Sequence, residues 1–143
     1  MTVVDAVVAR LQTEEGFRAT AYKDTVGHTT IGYGFNVDAG ITKPAAAALL
    51  RAQVEDLEGQ IAALPWWAPL PDNFKLVCLD IAFNAGFHGL LGYPHMIAAM
   101  IAGDEAGAAA QCTTSDPRLD ASRYAPLRAV ILSTPPSCSP RSS

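Results

Sequence analysis

The apolar positions of the first fifteen residues recur at steps of three and four, the spacing of one face of a helix. This stripe consists of Val4, Val7, Val8 and Leu11. Gly16 is a natural helix stop, so we predict a helix from about residue 2 to residue 14 or 15. Residues 19–35 are rich in strand formers around a turn at residues 24–27, which predicts a short, irregular hairpin. A loop is expected at residues 36–40.

The rest of the chain returns to the helical spacing. A long helix is predicted from Thr42, which can cap it, to about residue 64, because the three prolines of residues 65–71 cannot continue a helix. The next helix begins at Asp72 or Asn73, ends at residues 84–86, and is apolar nearly all round, which indicates a buried central helix. Further helices are expected at about residues 90–102, 104–112 and 124–132, with a loop at residues 118–122.

The order of these elements predicts the fold class. Strand formers are confined to one early segment and helical patterns fill the rest, which favours an α+β fold. Residues 133–143 contain three prolines and five serines, so we expect a disordered tail after a domain that spans residues 1–132.

Composition narrows the function. The chain has 143 residues and a formal net charge of −4, and the acidic balance argues against nucleic-acid binding. No apolar run approaches the roughly 18 residues of a membrane span. The N-terminus lacks a basic segment followed by an apolar stretch, so no signal peptide is expected and the chain is expected to be made as a soluble cytoplasmic protein.

The spacing of the cysteines and histidines along the chain does not match that of a metal site. Cys78, Cys112 and Cys138 have no metal-knuckle spacing and are expected to be reduced thiols. His28, His88 and His95 could in principle contribute to a zinc site, but their spacing matches no known ligand motif, and we expect no metal and no cofactor.

Two carboxylates flank the start of the hairpin. Glu15 closes the first helix and Asp24 lies nine residues later at the predicted turn, a pair that could serve glycoside hydrolysis. The negative end of the helix dipole disfavours the ionised form of Glu15, which suits a general acid, whereas Asp24 near water should stay ionised and suits a base. The spacing alone also allows Glu14 and Glu15 to be solvated helix-end charges and Asp24 to be a turn former.

The segment resembles the phage T4-type lysozymes, glycoside hydrolase family 24. The resemblance rests on an ungapped match to a Glu-Gly pair, a Tyr-x-Asp and a Gly-x-x-Thr-Ile-Gly-x-Gly, found here at residues 15–16, 22–24 and 27–34. Residues 82–86, with the sequence Ala-Phe-Asn-Ala-Gly, resemble the family's segment at the base of its cleft. Weaker similarity continues to about residue 132.

The resemblance implies a two-lobed fold, with a hairpin lobe at about residues 16–40, a helical lobe at about residues 65–132 and a cleft between them. It implies hydrolysis of the β-1,4 bond between N-acetylmuramic acid and N-acetylglucosamine in peptidoglycan, with inversion and without a cofactor. By position Glu15 is then the general acid, and Asp24 and Thr30 hold and activate the water. The implied substrate-binding residues are Tyr33, Asn36, Phe83 and Asn84.

The same resemblance implies the biological setting. Such an endolysin is expected to be a monomer that waits in the host cytoplasm until a holin opens the membrane, and then acts on glycan strands in the periplasm and cell wall.

Three features depart from the family pattern. Phe35 stands where a histidine follows the Gly-x-Gly, residues 113–123 lack the usual Trp- and Arg-rich segment, and the chain is acidic. A catalytically weak, lysozyme-like peptidoglycan-binding protein is therefore an alternative, and a zinc amidase acting on the same wall is another. Turnover of peptidoglycan distinguishes the first, and release of reducing sugar rather than amino groups excludes the second.

Overall fold

A computed structural model of the chain describes residues 1–133, which form parts of two compact units, Met1–Leu49 and Leu50–Ser143. The predictions for the tail after Ser133, and for Cys138, lie outside the described residues. The boundary between the units falls within one long helix, and each unit has its own architecture.

The first unit begins with helix α1 (Val3–Glu15), as the apolar stripe predicts. Thr2 caps it through a capping box: the Thr2 hydroxyl accepts from the Asp5 N–H at 3.1 Å, and an Asp5 carboxylate oxygen accepts from the Thr2 N–H at 2.7 Å. Gly16 ends the helix with a φ of 69°, a conformation that glycine adopts without steric cost. The apolar stripe of α1 is exposed.

A three-stranded antiparallel sheet follows α1. Its strands are β1 (Arg18–Lys23), β2 (Thr29–Gly32) and β3 (Phe35–Asn36), in the order β1-β2-β3. The predicted hairpin corresponds to β1 and β2, and the two-residue β3 was not predicted because the sequence shows no alternation over so short a segment. The loop expected at residues 36–40 is instead the end of β3 and a 3₁₀ turn, Val37–Ala39.

Helix α2 (Lys43–Ala62) confirms the predicted long helix and contains the boundary between the units. The Thr42 hydroxyl accepts from the Ala45 N–H at 3.3 Å, which is the predicted cap. The proline-rich segment that follows forms turns, and Pro71 rather than Asp72 or Asn73 stands at the cap of the next helix.

Helix α3 (Asp72–Leu91) differs from the prediction at its C-terminal end. The expected end at residues 84–86 is a kink, where Gly86 has a φ of 81°, and helical structure resumes to Leu91. The helix predicted at residues 90–102 therefore begins late, as α4 (Pro94–Ile101), because Pro94 favours the first turn of a helix.

The remaining helices are α5 (Glu105–Gln111), α6 (Pro117–Leu119) and α7 (Ala125–Leu132). The loop expected at residues 118–122 is wrong: α6 continues into a π-helical turn, Asp120–Tyr124. The Asp116 carboxylate starts this segment by accepting from the Arg118 N–H at 2.9 Å. Two hydrogen bonds from the Arg128 guanidinium to the Asp120 carboxylate, at 2.7 and 2.8 Å, hold the π turn.

The second unit contains the hydrophobic core. Within residues 1–133, the buried apolar side chains all come from Ile61 onward, and α3 contributes the largest share, namely Phe74, Val77, Cys78, Ile81, Ala82 and Leu90. Cys78 and Cys112 are free, buried thiols, as predicted, and burial raises the pKa of Cys78 to about 12.

Helix α3 is the one candidate membrane span among the described residues. By length and mean hydropathy alone, α3 could cross a membrane. It meets this criterion without an uninterrupted apolar run of that length, because a mean hydropathy tolerates a few charged residues within the helix. A core helix passes the same test, and the buried residues of α3 form the centre of the second unit's core.

Candidate active site

Glu15 lies at the C-terminal end of α1, with its carboxylate against the turn that joins β2 to β3. A Cβ atom added to Gly34 in that turn would lie 2.8 Å from Glu15 Oε2, and Gly34 has a φ of +77°. Any larger residue here would strain the backbone and require the Glu15 carboxylate to shift from its position. Glu14 has a different partner, because its Oε1 accepts from Arg10 Nε at 2.6 Å one helical turn earlier. Of the two adjacent glutamates, Glu15 is the one whose carboxylate lies next to the turn between β2 and β3.

Asp24 and Thr30 share a hydrogen-bond partner. The carbonyl oxygen of His28 accepts from the Asp24 N–H at 3.0 Å and from the Thr30 hydroxyl at 3.1 Å. In return, Asp24 Oδ1 accepts from the His28 N–H at 2.8 Å and from the Val26 N–H at 2.9 Å. The turn between β1 and β2 therefore fixes the carboxylate and the hydroxyl as one unit.

The Asp24 carboxylate is stabilised in its ionised form. The backbone hydrogen bond from His28, with smaller contributions from Val26, from the charge of His28 and from Gly27, holds the pKa of Asp24 below its usual range despite an opposing desolvation effect. Its second oxygen, Oδ2, lies 3.6 Å from His28 Nδ1. An ionised carboxylate with one such oxygen can accept a proton from water, which is what a general base requires.

Thr30 lies in the central strand of the sheet, paired with Tyr22 of β1 and with Asn36 of β3. It is 4 % exposed, and it is the one buried polar residue among residues 1–133. A buried hydroxyl needs a hydrogen bond, which the His28 carbonyl supplies. The Thr30 hydroxyl is therefore held by the same carbonyl oxygen that accepts from the Asp24 N–H.

The two other candidates of the first unit have structural contacts. The half-buried Tyr33 packs its ring 5.5 Å from that of Phe17. Asn36 Oδ1 accepts from the Ala39 N–H at 3.2 Å and so caps the 3₁₀ turn. Their roles in substrate binding remain predictions.

Phe83 and Asn84 belong to the second unit, just before the kink of α3. Phe83 is 43 % exposed and lines a groove of about 520 Å³ whose other apolar walls include Leu79 and Leu50. Asn84 Nδ2 donates to the Asp80 carbonyl oxygen at 2.8 Å. As expected for a residue near a helix end, part of its hydrogen-bonding capacity is used locally.

Five of the seven candidates thus lie in the first unit and the other two lie in the second. The residues in each group are Glu15, Asp24, Thr30, Tyr33 and Asn36, and then Phe83 and Asn84.

Sequence reasoning missed the contribution of two residues to this site. The main chain of His28 joins Asp24 to Thr30, and Gly34 makes space for Glu15. The Gly-x-Gly spacing was the available signal for the second, whereas the first depends on main-chain geometry that residue types do not encode. Within residues 1–133 the structure shows no group of three potential metal ligands.

A carboxylate at a helix end against a small antiparallel sheet, followed by an all-helical unit, defines an α+β, lysozyme-like protein. The Phage lysozyme family model matches residues 12–117, most of the chain and every candidate named above, so the chain belongs to the phage lysozyme family. This membership supports a lysozyme or endolysin function in general terms, and hence a glycoside hydrolase. No curated protein matches the chain.

Proposed function

We propose that the protein hydrolyses the β-1,4 bond between N-acetylmuramic acid and N-acetylglucosamine in bacterial peptidoglycan, by an inverting acid–base mechanism. The observation that carries the proposal is the pair of differently held carboxylates. Glu15 lies against Gly34 at a helix end, whereas Asp24 is kept ionised by main-chain hydrogen bonds and is joined to Thr30.

The two carboxylates divide the chemistry. Glu15 gives its proton to the glycosidic oxygen as the bond from that oxygen to the anomeric carbon breaks. A water molecule forms the new bond to the anomeric carbon and passes a proton to Asp24. Thr30 is neutral, so it orients the water rather than deprotonating it. No covalent intermediate forms, and Glu15 and Asp24 exchange protons with solvent before the next cycle.

The proposal includes the setting that the family implies. The catalytic domain spans residues 1–132, with the hairpin lobe at about residues 16–40 and the helical lobe at about residues 65–132. It acts as a monomer without a cofactor on glycan strands, with contacts from Tyr33, Asn36, Phe83 and Asn84. It stays in the host cytoplasm until a holin releases it to the periplasm and cell wall.

Digestion of purified peptidoglycan tests the proposal. We expect soluble muropeptides with reducing N-acetylmuramic acid ends, and proton NMR at early times should show the α-anomer of the new end, because inversion of a β bond gives α. Free amino groups without reducing ends would indicate an amidase instead. Binding to peptidoglycan with no products would favour the wall-binding alternative.

A further inference from the structure

The imidazole of His28 lies beside the Oδ2 atom of the Asp24 carboxylate. Asp24 Oδ1 already accepts two main-chain hydrogen bonds, from Val26 and His28. The other oxygen, Oδ2, lies 3.6 Å from His28 Nδ1. The two oxygens therefore differ: Oδ1 accepts the main-chain hydrogen bonds from Val26 and His28, and Oδ2 faces the imidazole.

Both side chains remain accessible to solvent. The side chain of Asp24 is 33 % exposed and that of His28 is 51 % exposed. A positive charge on the imidazole favours the ionised form of the neighbouring carboxylate. The main-chain bonds between the two residues do not involve the imidazole, so they can form with another side chain at position 28.

The other charged groups near the imidazole come from the adjoining elements. Asp38 of the 3₁₀ turn accepts from the Thr29 N–H at 2.8 Å, and the charges of Lys23 and His28, after that hydrogen bond, also favour its ionised form. Lys23 at the end of β1 donates to the Thr29 hydroxyl at 2.6 Å. A positive charge on His28 therefore acts on two carboxylates, Asp24 and Asp38, and the Lys23 ammonium also acts on Asp38.

We propose that His28 is a positioning residue for the reaction: its protonated imidazole pairs with Asp24 Oδ2 and keeps the base ionised and aimed as the pH falls. This inference rests on the proposed function. It assigns no proton transfer to His28 itself, because that side chain acts only through Asp24. It predicts that activity persists to a lower pH than it would with a neutral residue at position 28.

The pH dependence of kcat/KM for His28→Asn and His28→Lys tests the proposal. In His28→Asn the acidic limb should move to higher pH by roughly 0.8 pH unit, the effect of one charge at this separation in a largely aqueous environment. The alkaline limb should not move. His28→Lys keeps a cation and should retain the wild-type acidic limb. His95→Asn, a change at an exposed histidine of the second unit, is the matched control.

A titration of the Asp24 side-chain carboxyl carbon by NMR gives a second reading that does not require activity. The pKa of Asp24 should rise in His28→Asn and remain near its wild-type value in His28→Lys. An unchanged Asp24 pKa, or a lower melting temperature of His28→Asn with an unmoved acidic limb, would overturn the proposal and leave His28 as a turn residue.

The two readings also separate this inference from the proposed function. If the NMR shift appears but wild-type protein releases no muropeptides, the pairing of His28 with Asp24 stands and the proposed hydrolysis fails. If muropeptides are released but the NMR titration is unchanged, only the inference about His28 fails.

Discussion

Gly34 shows how one missing side chain shapes the candidate site. Gly34→Ala should lower activity, because the new Cβ would lie 2.8 Å from Glu15 Oε2 and must displace the carboxylate. The positive φ of +77° should also destabilise the fold by about 1–2 kcal/mol. Muropeptide release and a melting curve measure the two effects.

Gly40→Ala is the control for strain alone. Gly40 has a φ of +81°, but a Cβ there would meet nothing within 4 Å. It should therefore lose stability to a similar extent and keep its activity. Equal activity losses in the two variants would show that Gly34 matters only for backbone conformation.

Thr30→Ala should reduce kcat more than it changes KM, because the hydroxyl is proposed to orient water during attack rather than to bind the sugar. The substitution also removes the hydroxyl that donates to the His28 carbonyl, which should cost about 1 kcal/mol of stability. Thr30→Ser keeps the hydroxyl and should retain most of kcat. Steady-state kinetics on peptidoglycan decide, and an unchanged kcat in Thr30→Ala would leave Thr30 with a structural role only.

At this scale the sequence predicted the candidate residues but not their contacts. The choice between Glu14 and Glu15 followed from the motif, and the structure gives its reason, since Arg10 pairs with Glu14 whereas Gly34 faces Glu15. The capping role of Asn36 could not be predicted, because an asparagine at the start of a predicted loop serves equally well as a ligand or as a cap.

Among the elements, the π turn between α6 and α7 depends on one ion pair. The hydrogen bonds from Arg128 hold the pKa of Asp120 below its usual range. A carboxyl whose pKa is lower in the folded state adds stability above its unfolded value, about 3.9, and that stability is lost as the pH falls through the folded value.

Asp120→Asn should therefore lower the melting temperature at neutral pH, and the difference from wild type should shrink below about pH 4. Melting curves from pH 2 to pH 7 measure this effect. Asp116→Asn, which keeps an oxygen to cap α6, is the control and should change little. A difference that stays constant down to the lowest pH would mean that the Arg128 ion pair does not support the turn.

The elements that the sequence predicted best are those with a long apolar repeat or a clear cap, such as α1, α2 and α5. The missed ones depend on contacts between distant residues. The segment at residues 118–122 lacks an apolar repeat and was expected to be a loop, yet Arg128, eight residues after Asp120, ties it into a helix. The kink at Gly86 likewise interrupts α3 without ending it, because glycine can bend a helix that the surrounding core then continues.

For the whole molecule, the unequal burial of the two units predicts unequal local stability. Thr30 is the one buried residue of Met1–Leu49, whereas the buried apolar side chains among the described residues all lie in the second unit. Segments with few buried contacts open at lower free energy than a core. Amides of β1, β2 and β3 should therefore exchange with solvent faster than those of α3 under native conditions.

Hydrogen exchange followed by NMR or mass spectrometry tests this difference. Equal protection in the sheet and in α3 would show that the protein opens only as a whole. The acidic net charge follows from the composition and predicts weak electrostatic attraction to an anionic cell wall. The distribution of buried residues between the two units could not be predicted from the composition, because the hydrophobic fraction of 50% does not say which residues are buried.

The most direct test of the proposed mechanism compares Glu15→Gln with Glu14→Gln. The amide keeps the size of the side chain but cannot donate the proton, so Glu15→Gln should lower muropeptide release from purified peptidoglycan by at least about 10²-fold while its melting curve stays close to wild type. Glu14→Gln changes the neighbouring residue, which pairs with Arg10, and should be nearly silent. If only Glu14→Gln lost activity, the general acid would be Glu14 and the assignment of Glu15 would be wrong. Full activity in both variants would contradict acid catalysis by Glu15.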